Sequence, residues 1–348
     1  MKKIAVLLAG MLLVGGMVFA DPATTSVNGK VEFTAIDMDS TRDGQMLSQT
    51  GDQYFKLNLT KQFDETTKVT AEYNTDEDSK DDSVASLTLT KQVNDKIEAA
   101  VKVNVDTTIG LKFADDEGGD TYLKYTASKD LNITLKPFEA GTGVGDELGT
   151  KDTQDAHGVE VNATLVDGLA TTAVVNFAND GKDDKMGLKA GATYTGVENL
   201  SVTGEFSMND TKATKTAVDA RGSYKMGSLT LSGEMLNVTN KVKDSTTGKV
   251  TEKTGMGLFA KAAYDLGTLS EGVTANTNVS FKQLGEKLYY DGDSDRSIIG
   301  AGFDVVVNGL TISNSVEMTK TGSKVLKDKD GKATDSKTTF STAVKVEF

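Results

Sequence analysis

The chain contains no cysteine and no tryptophan, and it has only two prolines and one histidine among 348 residues. Without cysteine it can form no disulfide and no thiolate site for metal binding or nucleophilic catalysis. Its single histidine, His157, excludes metal sites built from several histidines of one chain. The scarcity of proline suits long paired strands, because proline lacks the N–H group that a β-ladder needs.

Positive charge is also scarce, since 38 basic residues face 51 acidic ones and the formal net charge is −13. Nucleic acid is therefore not an expected partner, because its affinity depends on neutralising phosphates with Lys and Arg. The mean hydropathy of −0.31 is typical of soluble proteins. It is also compatible with a membrane barrel, in which only alternate residues face lipid.

The first twenty residues have the pattern of a bacterial export signal. Two lysines follow Met1, residues 4–19 are uncharged and mostly apolar, and residues 18–20 form a small-x-small motif. We therefore expect cleavage after Ala20, which leaves residues 21–348 as one unit. No later apolar run reaches the length of about 18 residues that a membrane helix needs.

From Val27 onward, segments of about ten residues alternate between apolar and polar side chains, as barrel strands do. In one of them, Ala99, Val101 and Val103 alternate with Glu98, Lys102 and Asn104. Aromatic residues fall near strand ends in the apolar phase and predict girdles at the membrane interfaces; they include Tyr73, Tyr125, Tyr194, Tyr224, Tyr264, Phe33, Phe177, Phe206, Phe281 and Phe303. A soluble β-sandwich would alternate too, but it usually has about seven to nine strands.

Short and long connections take turns along the chain, as periplasmic turns and extracellular loops should. The short ones include Asp167-Gly168 and Asn308-Gly309, which is a strong hairpin signal. The long ones are 37–52, 75–82, 114–120, 139–155, 179–185, 210–215, 241–253, 285–296 and 321–337. This pattern predicts an all-β transmembrane antiparallel barrel of about 18 strands with both termini periplasmic.

The least certain part of this count is 96–113, which we interpret as one long strand. If Asp106-Thr107-Thr108 is a turn instead, the count changes, and sixteen strands is the alternative.

The charged residues on the polar phase of the predicted strands should line the lumen. The predicted pore-lining residues are Lys30, Glu32, Lys56, Glu72, Glu98, Lys102, Lys124, Lys136, Glu160, Lys189, Glu205, Asp219, Arg221, Lys225, Glu234, Lys261, Asp265, Asp304, Glu317, Lys345 and Glu347. Barrels of about 16–18 strands enclose water, so these charges should influence which ions pass. The Gly-rich loop 139–155 carries Glu139, Asp146 and Glu147 and has the composition to fold inward, but the sequence does not decide this.

The sequence predicts no catalytic, cofactor or metal site. Residues 291–295 resemble the opening of a calcium loop, yet Arg296 and Gly302 stand where that motif requires Gly and Glu. A Ser-His-Asp arrangement would need only His157, but no spacing pairs a serine with it, and a solvated loop histidine is the simpler interpretation.

The last strand-like run, residues 340–348, alternates and ends on Phe348. It resembles the closing strand of bacterial porin-like outer-membrane β-barrel proteins, and the resemblance extends over residues 21–348. That resemblance implies a Gram-negative outer membrane with its lipid and lipopolysaccharide as surroundings. It also implies recognition of Phe348 by the barrel-assembly machinery, a homotrimer, and passage of small hydrophilic solutes.

The expected function is a diffusion channel for ions and small hydrophilic solutes rather than an enzyme. A structural or adhesive surface barrel that conducts little remains the alternative, with the acidic loops as its functional part. A lumen lined with charges and small polar residues favours the channel, and the shortness of most loops argues against adhesion.

Overall fold

A computed structural model describes residues 25–39, 45–46, 53–75, 83–106, 110–113, 121–137, 140, 142–148, 157–179, 184–209, 214–243, 249–285, 295–322, 326–327 and 333–347. The predictions on residues 1–20 and on Phe348 lie outside this part of the chain. Within it, no helix is long and apolar enough to cross a membrane.

The described residues form antiparallel strands that follow one another along the chain. They are β1 (Thr25–Asp39), β2 (Gln45–Met46), β3 (Gln53–Asp64), β4 (Thr67–Thr75), β5 (Ser83–Asn94), β6 (Ile97–Asp106), β7 (Gly110–Phe113), β8 (Tyr122–Ser128), β9 (Leu131–Lys136), β10 (His157–Val166), β11 (Leu169–Asn179), β12 (Asp184–Tyr194), β13 (Leu200–Asn209), β14 (Thr214–Met226), β15 (Leu229–Lys243), β16 (Val250–Ser270), β17 (Val273–Leu284), β18 (Arg296–Val307), β19 (Leu310–Thr321), β20 (Leu326–Lys327), β21 (Ala333–Thr334) and β22 (Ser336–Glu347).

Eighteen of these strands pair side by side in one continuous ring. Strand β1 pairs with β3, each long strand pairs with the next one along the chain, and β19 pairs with β22. The ring is completed by β22 and β1, whose register runs from Lys30 opposite Glu347 to Asp39 opposite Thr339. The predicted antiparallel barrel of about 18 strands is confirmed for the described residues.

The prediction of one long strand over 96–113 is wrong. Strand β6 ends at Asp106, and β7 turns back to pair with it, with Asp106 opposite Gly110 and Val103 opposite Phe113. Strand β8 then pairs with the other half of β6, where Ile97 faces Tyr125. Strands β7 and β8 pair with different halves of β6 and so occupy one position in the ring between them. The ring therefore still has eighteen positions.

Short turns join neighbouring strands at several of the predicted positions. The turn at Asn308-Gly309 has positive φ at both residues, 48° and 87°, as a type I′ hairpin requires. Gly168 and Gly227, at φ values of 78° and 57°, supply the same left-handed backbone in two other short turns.

The two faces of the sheet differ as the alternation predicted. Large apolar side chains stay exposed on one face, among them Leu231, Tyr264, Val279, Phe281 and Ile299. The opposite face carries the charged residues and lies inside the ring. An outer surface of this kind is the one that lipid covers in a transmembrane barrel.

Candidate functional site

Part of the connection between β9 and β10 lies inside the barrel. Strand β9 ends at Lys136 because Pro137 has no N–H to continue the ladder. The chain then passes to the inner face, where Ala140, Val144 and Leu148 are almost completely buried. We call residues 140 and 142–148 the inner segment. The sequence left the position of this loop open, and its described part is folded inward.

Three side chains of the barrel wall hold the inner segment through its backbone carbonyl groups. The Asn176 amide Nδ2 donates to the Ala140 carbonyl oxygen at 2.6 Å, and Lys189 Nζ donates to that of Gly143 at 2.8 Å. Lys282 Nζ donates to the Glu147 carbonyl oxygen, also at 2.8 Å. The segment is thereby fixed at both ends and in its middle.

Glu234 also holds the segment, but it binds backbone N–H groups rather than carbonyl groups. Its carboxylate accepts the backbone N–H of Asp146 at 2.9 Å and that of Leu148 at 3.1 Å. Gly145 turns the chain just before these donors, with a φ of 108° that favours glycine. Glu234 is only 5 % exposed, and its hydrogen bond from Leu148 is buried while the one from Asp146 is partly buried. Hydrogen bonds to an ionised carboxylate are stronger than those between neutral groups.

An apolar cluster packs the segment against the wall. Val144 and Leu148 of the segment join side chains of β14 to β17, and Ile298 of β18 packs against them; the wall members are Ala217, Leu236, Val238, Phe259 and Leu284. These wall residues occupy the inner phase, which alternation predicts to be polar. They are apolar because the segment, not water, covers them.

Gly187 leaves the space that the segment needs beside β11. A Cβ at this position would lie 2.3 Å from Asn176 Oδ1 and 3.2 Å from Thr142 Cγ2. We expect G187A to displace Asn176 and to break its hydrogen bond to Ala140, at a cost of about 1–3 kcal/mol. A single cysteine introduced at the buried Thr142 should then react faster with a water-soluble maleimide.

The matched control for this change is G204A, because a Cβ on Gly204 meets nothing within 4 Å. Equal labelling rates in G187A and G204A would show that Gly187 does not serve the segment.

Ion pairs surround the segment on the wall. Lys189 Nζ lies 2.8 Å from Glu205 Oε1, and Arg221 NH1 lies 2.8 Å from Glu205 Oε2. The same guanidinium nitrogen contacts Asp219 Oδ2 at 2.5 Å, while Arg221 Nε lies 4.0 Å from Asp146 Oδ2. The result is a compact network in which each cation is shared between acceptors.

The structure brings some of the predicted pore-lining residues together. Lys189, Glu205, Asp219, Arg221 and Glu234 meet at the inner segment, and Lys136 pairs with Glu160 at 2.6 Å next to them. The others lie elsewhere along the same face by strand register; they are Glu72, Glu98, Lys102, Lys124, Lys225, Lys261, Asp265, Asp304, Glu317 and Lys345.

For Lys30, Glu32, Lys56 and Glu347 only the backbone is described. Register places Lys30 opposite both Lys56 and Glu347, and Glu32 opposite Lys345. Their role as pore-lining residues, like that of the full set, stays a prediction.

Sequence reasoning missed Lys282 and the apolar members of the wall. In β17, Phe281 faces outward, and its two neighbours Ser280 and Lys282 therefore face inward. The alternation of β17 could thus have identified Lys282 as an inner residue. Phe259 and Leu236 are apolar residues at strand positions where the alternation predicts a polar side chain, so they too could have been noticed. Apolar side chains at lumen positions indicate where an inward segment packs.

His157 is hydrogen-bonded to no serine or carboxylate among the described residues. It opens β10, is exposed, and stacks on Phe177 with ring centroids 6.2 Å apart. Within the described residues, no group of three or more His, Cys, Asp or Glu side chains could hold a metal ion.

No protein-family model matches the chain, and no curated protein matches its sequence. Its fold, however, is similar to that of solved bacterial porins. OpdL of Pseudomonas aeruginosa aligns with a TM-score of 0.58 at 10% identity, over 94% of this chain and 98% of that one. The anion-selective porin from Comamonas acidovorans aligns with a TM-score of 0.56 at 12% identity, over 93% and 99%. OccK3 (OpdO) of Pseudomonas aeruginosa gives 0.56 at 10% identity, over 95% and 98%.

The chain therefore has the fold of a transmembrane β-barrel with a segment packed inside it. More narrowly, this is the fold of the bacterial outer-membrane porins, as the resemblance of the last strand implied.

Proposed function

We propose that this protein is an outer-membrane porin, a water-filled channel for passive diffusion of ions and small hydrophilic solutes. The observation that carries the proposal is the two-faced ring of eighteen strands, apolar outside and charged inside. A barrel of about 16–18 strands is too wide for its own side chains to fill, so water occupies the interior.

The inner segment supports the same function, because it narrows the interior at one level and the described residues leave a mainly polar space beside it. Carboxylates, the Arg221 guanidinium and hydroxyls line the space beside it. Such a lining keeps water and hydrated ions in the passage. On this proposal the chain is not an enzyme and needs no cofactor.

The proposal also covers location and assembly. Cleavage near Ala20 would release the exported chain, and the strand that ends at Phe348 would be recognised by the barrel-assembly machinery. Outer-membrane lipid and lipopolysaccharide would surround the apolar face. We propose a homotrimer as the assembled state, to be checked by the mass of the detergent-solubilised protein.

The test is single-channel recording of the purified protein in planar bilayers. Discrete, stable conductance steps are expected for a porin. A barrel that inserts, shows heat-modifiable migration on gels and passes no current would overturn the proposal. The acidic loops of a structural or adhesive surface barrel would then be the place to look for function.

A further inference from the structure

We propose that the channel prefers cations, and that Asp146 and Glu147 of the inner segment set this preference. This inference rests on the proposed channel function and specifies its substrate class. Three properties of the charged side chains around the inner segment support it: their exposure, their ion pairing and the number of each sign.

The exposed charges at this level are negative. The side chain of Asp146 is 68% exposed and that of Glu147 is 43% exposed. The cations around them are more enclosed, at 18% for Lys189, 27% for Arg221 and 29% for Lys282. A solute at the segment therefore has more access to carboxylates than to cations.

The three cations are also occupied by acceptors of the protein. Lys189 Nζ contacts both Glu205 and the Gly143 carbonyl oxygen, and Lys282 Nζ contacts the Glu147 carbonyl oxygen. Arg221 NH1 is shared between Glu205 and Asp219. A passing anion would have to displace these acceptors to reach a positive charge.

The charges at the segment do not cancel. Among the described residues that contact one another there, five carboxylates stand against three cations; the carboxylates are Asp146, Glu147, Glu205, Asp219 and Glu234. The excess is two negative charges. In a narrow passage with protein walls, one sign of charge raises the local concentration of the opposite ion.

The cavity beside the segment has the chemistry to receive a cation that has lost part of its water. It measures about 270 Å³, and its lining holds three carboxylates, four hydroxyl-bearing residues, the Phe259 ring and one cation; the carboxylates are Asp146, Glu147 and Glu234, and the hydroxyl-bearing residues are Ser201, Thr203, Ser223 and Ser232. The cation is Arg221, whose guanidinium is already paired with Glu205 and Asp219. Hydroxyl and carboxylate oxygens can replace water around a metal cation or an ammonium group. The substrate class is therefore small inorganic cations and small cationic organic solutes.

The experiment is the reversal potential of the purified full-length channel under a KCl gradient. The wild-type protein should give a permeability ratio of potassium to chloride above one. The double variant D146N/E147Q should lower that ratio about threefold, because two charges near the passage act through water and are partly screened by salt. The matched control is D130N/D167N, which removes two exposed charges from short turns at the other end of the barrel and should leave the ratio unchanged.

A second variant separates the charge effect from a general disturbance of the segment. K282Q removes a cation from the same level and should raise the ratio, opposite in sign to D146N/E147Q. A wild-type ratio at or below one, or a ratio that D146N/E147Q does not change, would overturn the cation preference while the channel function stands. If no variant conducts and the wild type does not either, the proposed channel function itself is overturned.

Discussion

Replacing Glu234 by alanine is expected to detach the inner segment and to increase the single-channel conductance. The change removes the acceptor of two backbone N–H groups, from Asp146 and Leu148, at a carboxylate that is almost completely buried. Hydrogen bonds to a charged group are worth about 1.5–3 kcal/mol each. A loss of about 3 kcal/mol would raise the detached fraction more than a hundredfold, since 1.4 kcal/mol corresponds to a factor of ten.

The absence of native cysteine makes this detachment measurable. A single cysteine in place of Val144, which is 1% exposed, should react slowly with a water-soluble maleimide in the otherwise unchanged chain. In the E234A background it should react about a hundredfold faster. Glu198, an exposed residue in a short turn, provides the control E198A, which should leave the rate unchanged. Unchanged labelling and conductance in E234A would mean that other contacts suffice to hold the segment.

Shortening Leu236 should have a comparable effect through packing rather than charge. Its side chain is fully buried in the cluster that contains Val144 and Leu148. Replacing a buried leucine by alanine costs about 2–5 kcal/mol, because the neighbours cannot close the cavity that is left. L236A is therefore expected to increase labelling of the cysteine at position 144 and to make the open-channel current noisier.

Leu231 offers a control on the same strand. It belongs to β15 too, but its side chain is 42% exposed on the outer face. L231A makes the same chemical change without touching the segment, so it should leave the labelling rate at its original value. Equal rates in L236A and L231A would contradict a packing role for the cluster.

The strands and their two faces could be predicted because successive side chains of a strand point to opposite faces, so a short stretch of sequence is enough to assign them. Alternation assigned Phe206, Tyr224 and Phe303 to the exposed face, and all three are exposed there. The turn at Asn308-Gly309 followed from the conformational freedom of its two residues. The error at 96–113 arose because Asp106-Thr107-Thr108 is a weaker turn signal than Asn-Gly, and β7 folds back on β6 beyond Asp106.

The site was harder to predict because its contacts join distant parts of the chain. Leu148 and its acceptor Glu234 are 86 positions apart, and no local pattern links them. The alternation along each strand assigned Glu205, Asp219 and Arg221 to the inner face. It could not show that Arg221 forms ion pairs with the two carboxylates. Phe259 and Leu236 carried the missing information, because an apolar side chain in the lumen phase requires something to cover it.

The pairing of β22 with β1 determines how such a chain can fold. Every other pair of neighbours in the ring is close in sequence, so hairpins can form locally, whereas Lys30 meets Glu347 only after the whole chain is available. Until then the growing sheet has two open edges, each with unpaired backbone groups able to join another chain. We expect the folding intermediate with open sheet edges to be prone to aggregation. Pairing of β22 with β1 should end this state, because it leaves neither edge unpaired. Truncation within residues 336–347 should accordingly harm biogenesis more than loss of any loop of equal length.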